Sequence, residues 1–191
     1  MTIHSVIIDE LPDTDGPISV IPPKKLEAVR YPDPILTTPT TPVDFDLNPG
    51  YRLVAQAKME AVLRRYGENA LGIAANQISL PFRMFSYWVG PDKIRTLVNP
   101  EIVESSGHFE FQEGCLSIPG MSFNLSRPNK VLLLAQEIDG KEVEIESEGV
   151  LGRLFQHEVD HLNGLLVWDR LDTHKRQIAK RRFKKLSNER N

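Results

Sequence analysis

The stretch Gln156-His157-Glu158-Val159-Asp160-His161 lies in a segment bracketed by two glycines, Gly149 before it and Gly164 after it. Its periodicity predicts a helix. Val150, Leu154, His157 and His161 share one face, and Leu151, Phe155, Val159 and Leu162 share another, expected to face the core. A helix that is apolar on two sides has to be buried, so the other elements must pack around this one. At about 3.6 residues per turn, His157 and His161 lie one above the other. Two imidazoles so placed can bind one divalent metal, with Glu158 beside them as a candidate general base. The same five-residue pattern also arises in ordinary amphipathic helices, so alone it leaves metal binding open.

Two histidines need a further ligand, because catalytic sites of this kind usually carry three protein ligands and a water. The longer protease pattern H-E-x-x-H-x-x-G-x-x-H continues through Gly164 but ends on Val167, which cannot bind metal. The other protease arrangement takes a Glu from a later helix. After His161 the only Glu is Glu189, in a basic tail, while Asp169 and Asp172 lie close to the helix end. Cys115 is the strong remaining candidate. It is the single cysteine, so no intrachain disulfide can form. A lone cysteine is most often a small buried hydrophobe. Here it sits in Gln112-Glu113-Gly114-Cys115-Leu116-Ser117-Ile118-Pro119-Gly120, where Gly114 permits an unusual turn and Pro119-Gly120 ends the segment. A cysteine in such a turn can point out of the core. A thiolate with two imidazoles suits iron(II), zinc or cobalt. The stretch 71–77 is rich in small residues that let backbone approach a substrate, and Gln77 offers an amide donor. Tight packing explains that stretch equally well.

The remaining segments predict an α+β protein with mixed, mostly antiparallel sheets packed around the central metal-binding helix, and a C-terminal helix. Residues 1–25, with Pro12, Pro17, Pro22 and Pro23, read as an extended N-terminal extension; 26–172 as the catalytic domain; 173–191 as a basic helix. A first helix is expected to open at Asn48-Pro49, to carry the stripe Val54, Ala57, Ala61 and Val62, and to stop at Gly67. Strands are expected over 81–89, 95–103 and 107–111, with a hairpin joining 130–138 to 141–146 through Asp139-Gly140. In the last helix Ala179, Phe183 and Leu186 recur at helical spacing, and the other sides are basic.

No run approaches the roughly 18 apolar residues of a membrane span. The first 23 residues hold no Lys or Arg and include Asp9, Glu10, Asp13 and Asp15, unlike a secretory or mitochondrial leader, so a cytoplasmic protein is expected. From His174 onward there are eight basic residues and one acid, a net +7 against −3 for the whole chain, which leaves −10 for the rest. That tail reads either as a solvated charged face or as a contact for ribosomal RNA.

Three segments in order carry a resemblance: Ala70-Leu71-Gly72-Ile73-Ala74-Ala75-Asn76-Gln77, then Glu113-Gly114-Cys115-Leu116-Ser117, then Gln156 to His161. Together they resemble the peptide deformylases, whose motifs read G-x-G-(L/I)-A-A-x-Q, E-G-C-L-S and Q-H-E-x-D-H. The second and third are complete. The flanks Leu97-Val98-Asn99-Pro100 and Leu162-Asn163-Gly164 also match, and the likeness runs over roughly 29–171. It implies a hydrolase that removes the formyl group from the N-terminal methionine of newly made chains, releasing formate. It implies Cys115, His157 and His161 as ligands of one divalent ion, iron(II) ahead of zinc, nickel or cobalt. Glu158 would be the general base and acid, and Gln77 with the Leu116 N–H would form the oxyanion hole. Gly72 and Gly114 would lie beside the substrate backbone, with Leu71, Phe111, Val150 and Leu154 around the methionine side chain. Glu113 is expected to pair with Arg127 and brace the cysteine loop.

Two residues depart from the pattern. Ala70 replaces the first glycine, so the backbone there must avoid positive φ. Arg153 stands where an aliphatic residue is usual, at the edge of the methionine pocket, and is expected to snorkel to the rim or contact the peptide. Formylmethionyl peptides are the expected partners, with no membrane or DNA. Three readings compete: a zincin-like metallopeptidase, a cysteine hydrolase pairing Cys115 with a histidine, and an inactive relative that binds peptides or ribosomes.

Overall fold

Residues 84–88 alternate in a way that divides the core. In the computed structural model, which describes residues 27–47 and 49–189, Met84 and Trp88 face one side of a sheet and Phe85 and Tyr87 the other. The extension expected over 1–25 and the Asn48 cap expected for the first helix lie outside these residues. The strands are β1 (Gly72–Ala74), β2 (Met84–Gly90), β3 (Lys93–Ser106), β4 (Phe109–Gly114), β5 (Ser122–Arg127), β6 (Lys130–Gln136) and β7 (Glu142–Glu148). The helices are α1 (Gly50–Tyr66), α2 (Gly149–Leu162) and α3 (Thr173–Asn188). A five-stranded sheet in the order β1-β2-β3-β6-β7 is antiparallel throughout, and β4 and β5 form a separate antiparallel ribbon. The α+β architecture with its central helix is the one the sequence predicts.

α1 covers one face of the sheet, packing Met59, Val62 and Leu63 against Ile73, Met84 and Val98. The expected stripe is rotated: Ala57 is exposed and Ala61 half-buried, while Ala55, Met59 and Leu63 are buried with Val54 and Val62. The helix rolls toward its larger side chains because burying Met and Leu removes more apolar area from water than burying Ala. Arg52 goes in with them. Its Nε donates to the Ile138 carbonyl at 3.0 Å, and its guanidinium lies over the Phe45 ring.

α2 covers the opposite face, where Phe155, Val159 and Leu162 meet Phe85, Tyr87, Leu97 and Leu133. Each such side chain contributes roughly 1.5–3 kcal/mol on burial. Leu151, expected on this face, sits in the first turn and is exposed. The far end of α2 is held closely. Thr40 donates to the Leu162 carbonyl through both its N–H and its hydroxyl, each at 2.9 Å. Gly164, at φ +73°, passes so near this segment that a Cβ would lie 2.9 Å from the Thr37 carbonyl oxygen.

β4 runs farther than the strand expected over 107–111 and pairs with β5, which the sequence reading leaves unassigned. In β5, Phe123, Leu125 and Arg127 alternate as buried residues between exposed ones. Behind it a third core gathers around Trp168, with Leu36, Ile118, Phe123 and, from α3, Ala179 and Phe183. Leu186 is half-buried, Lys175, Lys180, Arg181, Arg182, Lys184 and Lys185 are exposed, and Arg176 is half-buried beside Asp169. Among the described residues no helix is long and apolar enough to cross a membrane.

Candidate active site

The end of β4 delivers Cys115 to the histidine face of α2. The ligand atoms of Cys115, His157 and His161 all lie within 4.8 Å of one another, and Cys115 Sγ is 3.2 Å from His161 Nε2. His157 points its Nδ1 at Glu113 Oε2, 3.0 Å away, which leaves Nε2 for the cluster. Burial pushes the Cys115 thiol up, but His161 and His157 outweigh it and hold the thiol well below its ordinary value. Burial pulls His157 down, while Cys115 and Glu113 drive it well above the usual histidine range. A thiolate and two imidazoles converging in this way are donors that fit a divalent transition metal.

Glu158 is buried next to this cluster. Burial pushes its carboxyl up to about 7, against the opposing pull of His157 and His161. Its Oε2 has no hydrogen-bond partner among the described residues, and a buried polar atom left open in this way marks a place for a ligand or water. Gly72 makes room for it: a Cβ there would lie 2.7 Å from Glu158 Oε1 and 2.8 Å from Leu154 Cδ1. Gln77 accepts from the Ala74 N–H through Oε1, which turns Nε2 toward Cys115 Sγ (3.7 Å) and Ser117 Oγ (3.2 Å).

The pair expected between Glu113 and Arg127 is part of a larger buried network. Arg127 donates twice to Glu113, at 2.6 and 3.0 Å, and once to Asp160 at 2.8 Å. Arg170 reaches Asp160 from the other side. Arg153 joins on the near side, bonding to Glu113 and to the carbonyls of Phe109 and Leu125. At 3% exposure it does not snorkel to the rim. The Glu113 carboxylate neutralises its charge, and the two carbonyls accept from its other terminal nitrogen, which together draw it inward.

An open cleft of about 480 Å³ leads to the cluster. Leu71, Phe111 and Val150 line it and are each about half exposed, with Leu154 deeper in. Apolar side chains left open together mark a binding surface. Leu116, Gly114 and Arg153 also border the cleft. Gly114 makes no unusual turn, however. It closes β4 in regular register with Ser122, and a Cβ there would meet only ordinary contact at 3.9 Å. Ala70 is extended, with φ −139°, as a non-glycine residue requires.

The alternative ligands have other partners. Val167 is buried in a short 3-10 turn, Asp169 accepts from the Leu166 N–H, and Asp172 caps α3. Three residues near the site escaped the sequence reading. Asp160 anchors Arg127 and Arg170, Asn76 donates to the His161 carbonyl at 2.6 Å, and Ser117 receives Gln77. Asp160 had a signal, since a carboxylate within a buried helix demands a cationic partner.

The polypeptide deformylase family model matches residues 25–177. A peptide deformylase from Acidobacterium capsulatum is 37% identical over 162 residues, covering 83% of this chain and 93% of that protein. The solved peptide deformylase of Legionella pneumophila superposes with a TM-score of 0.74 at 35% identity, covering 86% of this chain and 96% of the other. That of Ehrlichia chaffeensis in complex with actinonin gives 0.73 at 28% identity, covering 83% and 95%. A match this long and continuous, over the fold and the site together, makes this chain a member of the peptide deformylase family.

Proposed function

We propose that this chain removes the formyl group from formylmethionyl peptides through Glu158 and the Cys115–His157–His161 cluster. The observation that carries the reading is a buried carboxylate with an open oxygen beside three converging donors, at the foot of an apolar cleft. We assign iron(II) to Cys115, His157 and His161, a donor set that also accepts zinc, nickel or cobalt. A divalent ion held there supplies Lewis acidity, drawing the pKa of water toward neutrality.

Glu158 takes the proton of the attacking water and later delivers it to the leaving amine as the formyl C–N bond breaks, giving formate and a free N-terminus. A carboxyl raised to about 7 suits both directions near neutral pH. Gln77 Nε2 and the Leu116 N–H stabilise the negative charge that builds on the formyl oxygen, one such donor being worth about 3–4 kcal/mol. The methionine side chain enters between Leu71, Phe111, Val150 and Leu154. The substrate backbone runs along Gly72 and Gly114. A formyl carbon bears only hydrogen, so a narrow site excludes acetyl groups by size. Such substrates arise on the ribosome, and this reading assigns the basic outer face of α3 to ribosomal RNA and the activity to the cytoplasm.

The test is formate release from a formyl-Met peptide by anaerobically purified protein, with and without a chelator. Release that the chelator abolishes and added ion restores is expected. Release unaffected by chelator but stopped by a thiol reagent would point instead to Cys115 as a nucleophile.

A further inference from the structure

α2 packs directly on β1, β3, β6 and β7, whereas long side chains tie it to the β4–β5 ribbon. Arg153 reaches both strands of that ribbon. One terminal nitrogen, Nη2, donates to the Phe109 carbonyl on β4 and, at 3.1 Å, to the Leu125 carbonyl on β5, while Nη1 donates to Glu113. The guanidinium lies 5.1 Å from the Phe109 ring centre and 6.0 Å from that of Phe111, and the two rings stack at 5.5 Å. Phe109, Phe111 and Glu113 alternate along β4 and so share one face of the ribbon; Arg153 touches all three. Phe111 lines the cleft from the ribbon, and Val150 and Leu154 line it from the same helix as Arg153. The distance between Phe111 and those two residues depends on how tightly the ribbon is held to that helix.

We propose that Arg153 is a positioning residue: by clamping both strands of the ribbon to α2, it sets the width of the pocket that takes the first side chain of the substrate. The proposal rests on the deformylase reading above and extends it to side-chain selectivity. Arg153 acts through Phe111 rather than by touching the peptide, in keeping with its burial. A flat fork of donors is needed because a carboxylate and two carbonyls converge on it, which a lysine ammonium does not match. Glu113 keeps two bonds from Arg127 when Arg153 is lost, so the brace on His157 survives.

The experiment compares the parent with Arg153→Met and Arg153→Lys on formyl-Met and formyl-Phe peptides, with bound metal measured alongside. Both variants are expected to lose about tenfold or more of the parent's preference for Met over Phe, carried by KM more than by kcat, the scale on which pocket shape discriminates. Bound metal is expected to stay at the parent level. A parental preference in Arg153→Lys would overturn the clamp, because charge beside Glu113 would then suffice. A lowered melting temperature with parental preference in both variants would reduce Arg153 to a structural role and also overturn it. If neither variant accumulates folded, Phe109→Leu carries the test, since it loosens the seat of the guanidinium without stranding a buried charge. A shift of preference in the same direction is expected there, and parental preference would overturn the proposal. A parent that releases no formate from either peptide overturns the deformylase reading itself, and this proposal with it.

Discussion

Glu113 Oε2 lies 3.0 Å from His157 Nδ1, and the same carboxylate takes two bonds from Arg127. Burial pushes Glu113 up, but His157 and Arg127 hold it far below the usual carboxylate range, so it stays charged. A charged acceptor at Nδ1 fixes the ring's orientation and leaves Nε2 toward the cluster. One side chain thus couples α2 to the ribbon that carries Cys115.

Removing the guanidinium that supports this coupling takes one cationic partner from each of two buried carboxylates, leaving Glu113 with Arg153 and Asp160 with Arg170. Arg127→Ala is expected to cost about 1.5–3 kcal/mol of stability for each charged hydrogen bond lost, and to weaken metal binding by about 10–100-fold. Denaturant unfolding and titration against a competing chelator measure the two effects. Parental values in both would show that the brace is not needed.

Glu158→Ala removes the proposed proton carrier and none of the three donors. Metal content is expected to stay at the parent level while turnover of formyl-Met peptide falls by about 10²–10⁴-fold. Steady-state kinetics on a variant with confirmed metal loading decide it, and turnover at the parental rate would remove Glu158 as the base.

Cys115→Ser exchanges a soft donor for a hard, poorly ionised one within a cluster whose ligand atoms lie within 4.8 Å of each other. Binding is expected to weaken, or the bound ion to change, because thiolate and hydroxyl favour different metals. Elemental analysis of the purified variant reads this directly, and unchanged identity and affinity would exclude Cys115 as a ligand.

Gly72→Ala would bring a methyl group to 2.7 Å from Glu158 Oε1 and 2.8 Å from Leu154 Cδ1. Both are ends of flexible side chains, so the fold is expected to survive while Glu158 is displaced. A misplacement near 1 Å costs about 10²-fold in rate. Kinetics paired with a thermal melt test this; full activity with an unchanged melt would show that Glu158 has slack.

Arg181, Arg182, Lys184 and Lys185 are exposed on α3, whereas Ala179 and Phe183 are buried against Trp168. Deleting the helix would open that core, so charge removal is the cleaner probe. Replacing the four cations with Ala is expected to weaken ribosome binding and to flatten its salt dependence by about 0.7–0.9 logarithmic units for each phosphate that is no longer neutralised. Sedimentation with ribosomes across a salt series would expose an unchanged slope.

The sequence alone narrowed the candidate donors to a few residues. His157 and His161 are a turn apart on any helix, Val167 cannot bind metal, and Cys115 is the only thiol; these are facts of spacing and side-chain chemistry that hold before folding. The central position of α2 followed as well, because Phe155, Val159 and Leu162 need cover. Tertiary structure decided what each side chain meets. Arg153 was expected at the rim and lies under Phe111, because the Glu113 carboxylate and two ribbon carbonyls are waiting there. The α1 stripe turned toward Met59 and Leu63, and Gly114 kept a regular strand whose partner, β5, was not recognised. Local periodicity sets the direction in which a side chain leaves the backbone; whether that direction is dry, charged or open depends on segments distant in sequence, and only their packing supplies it.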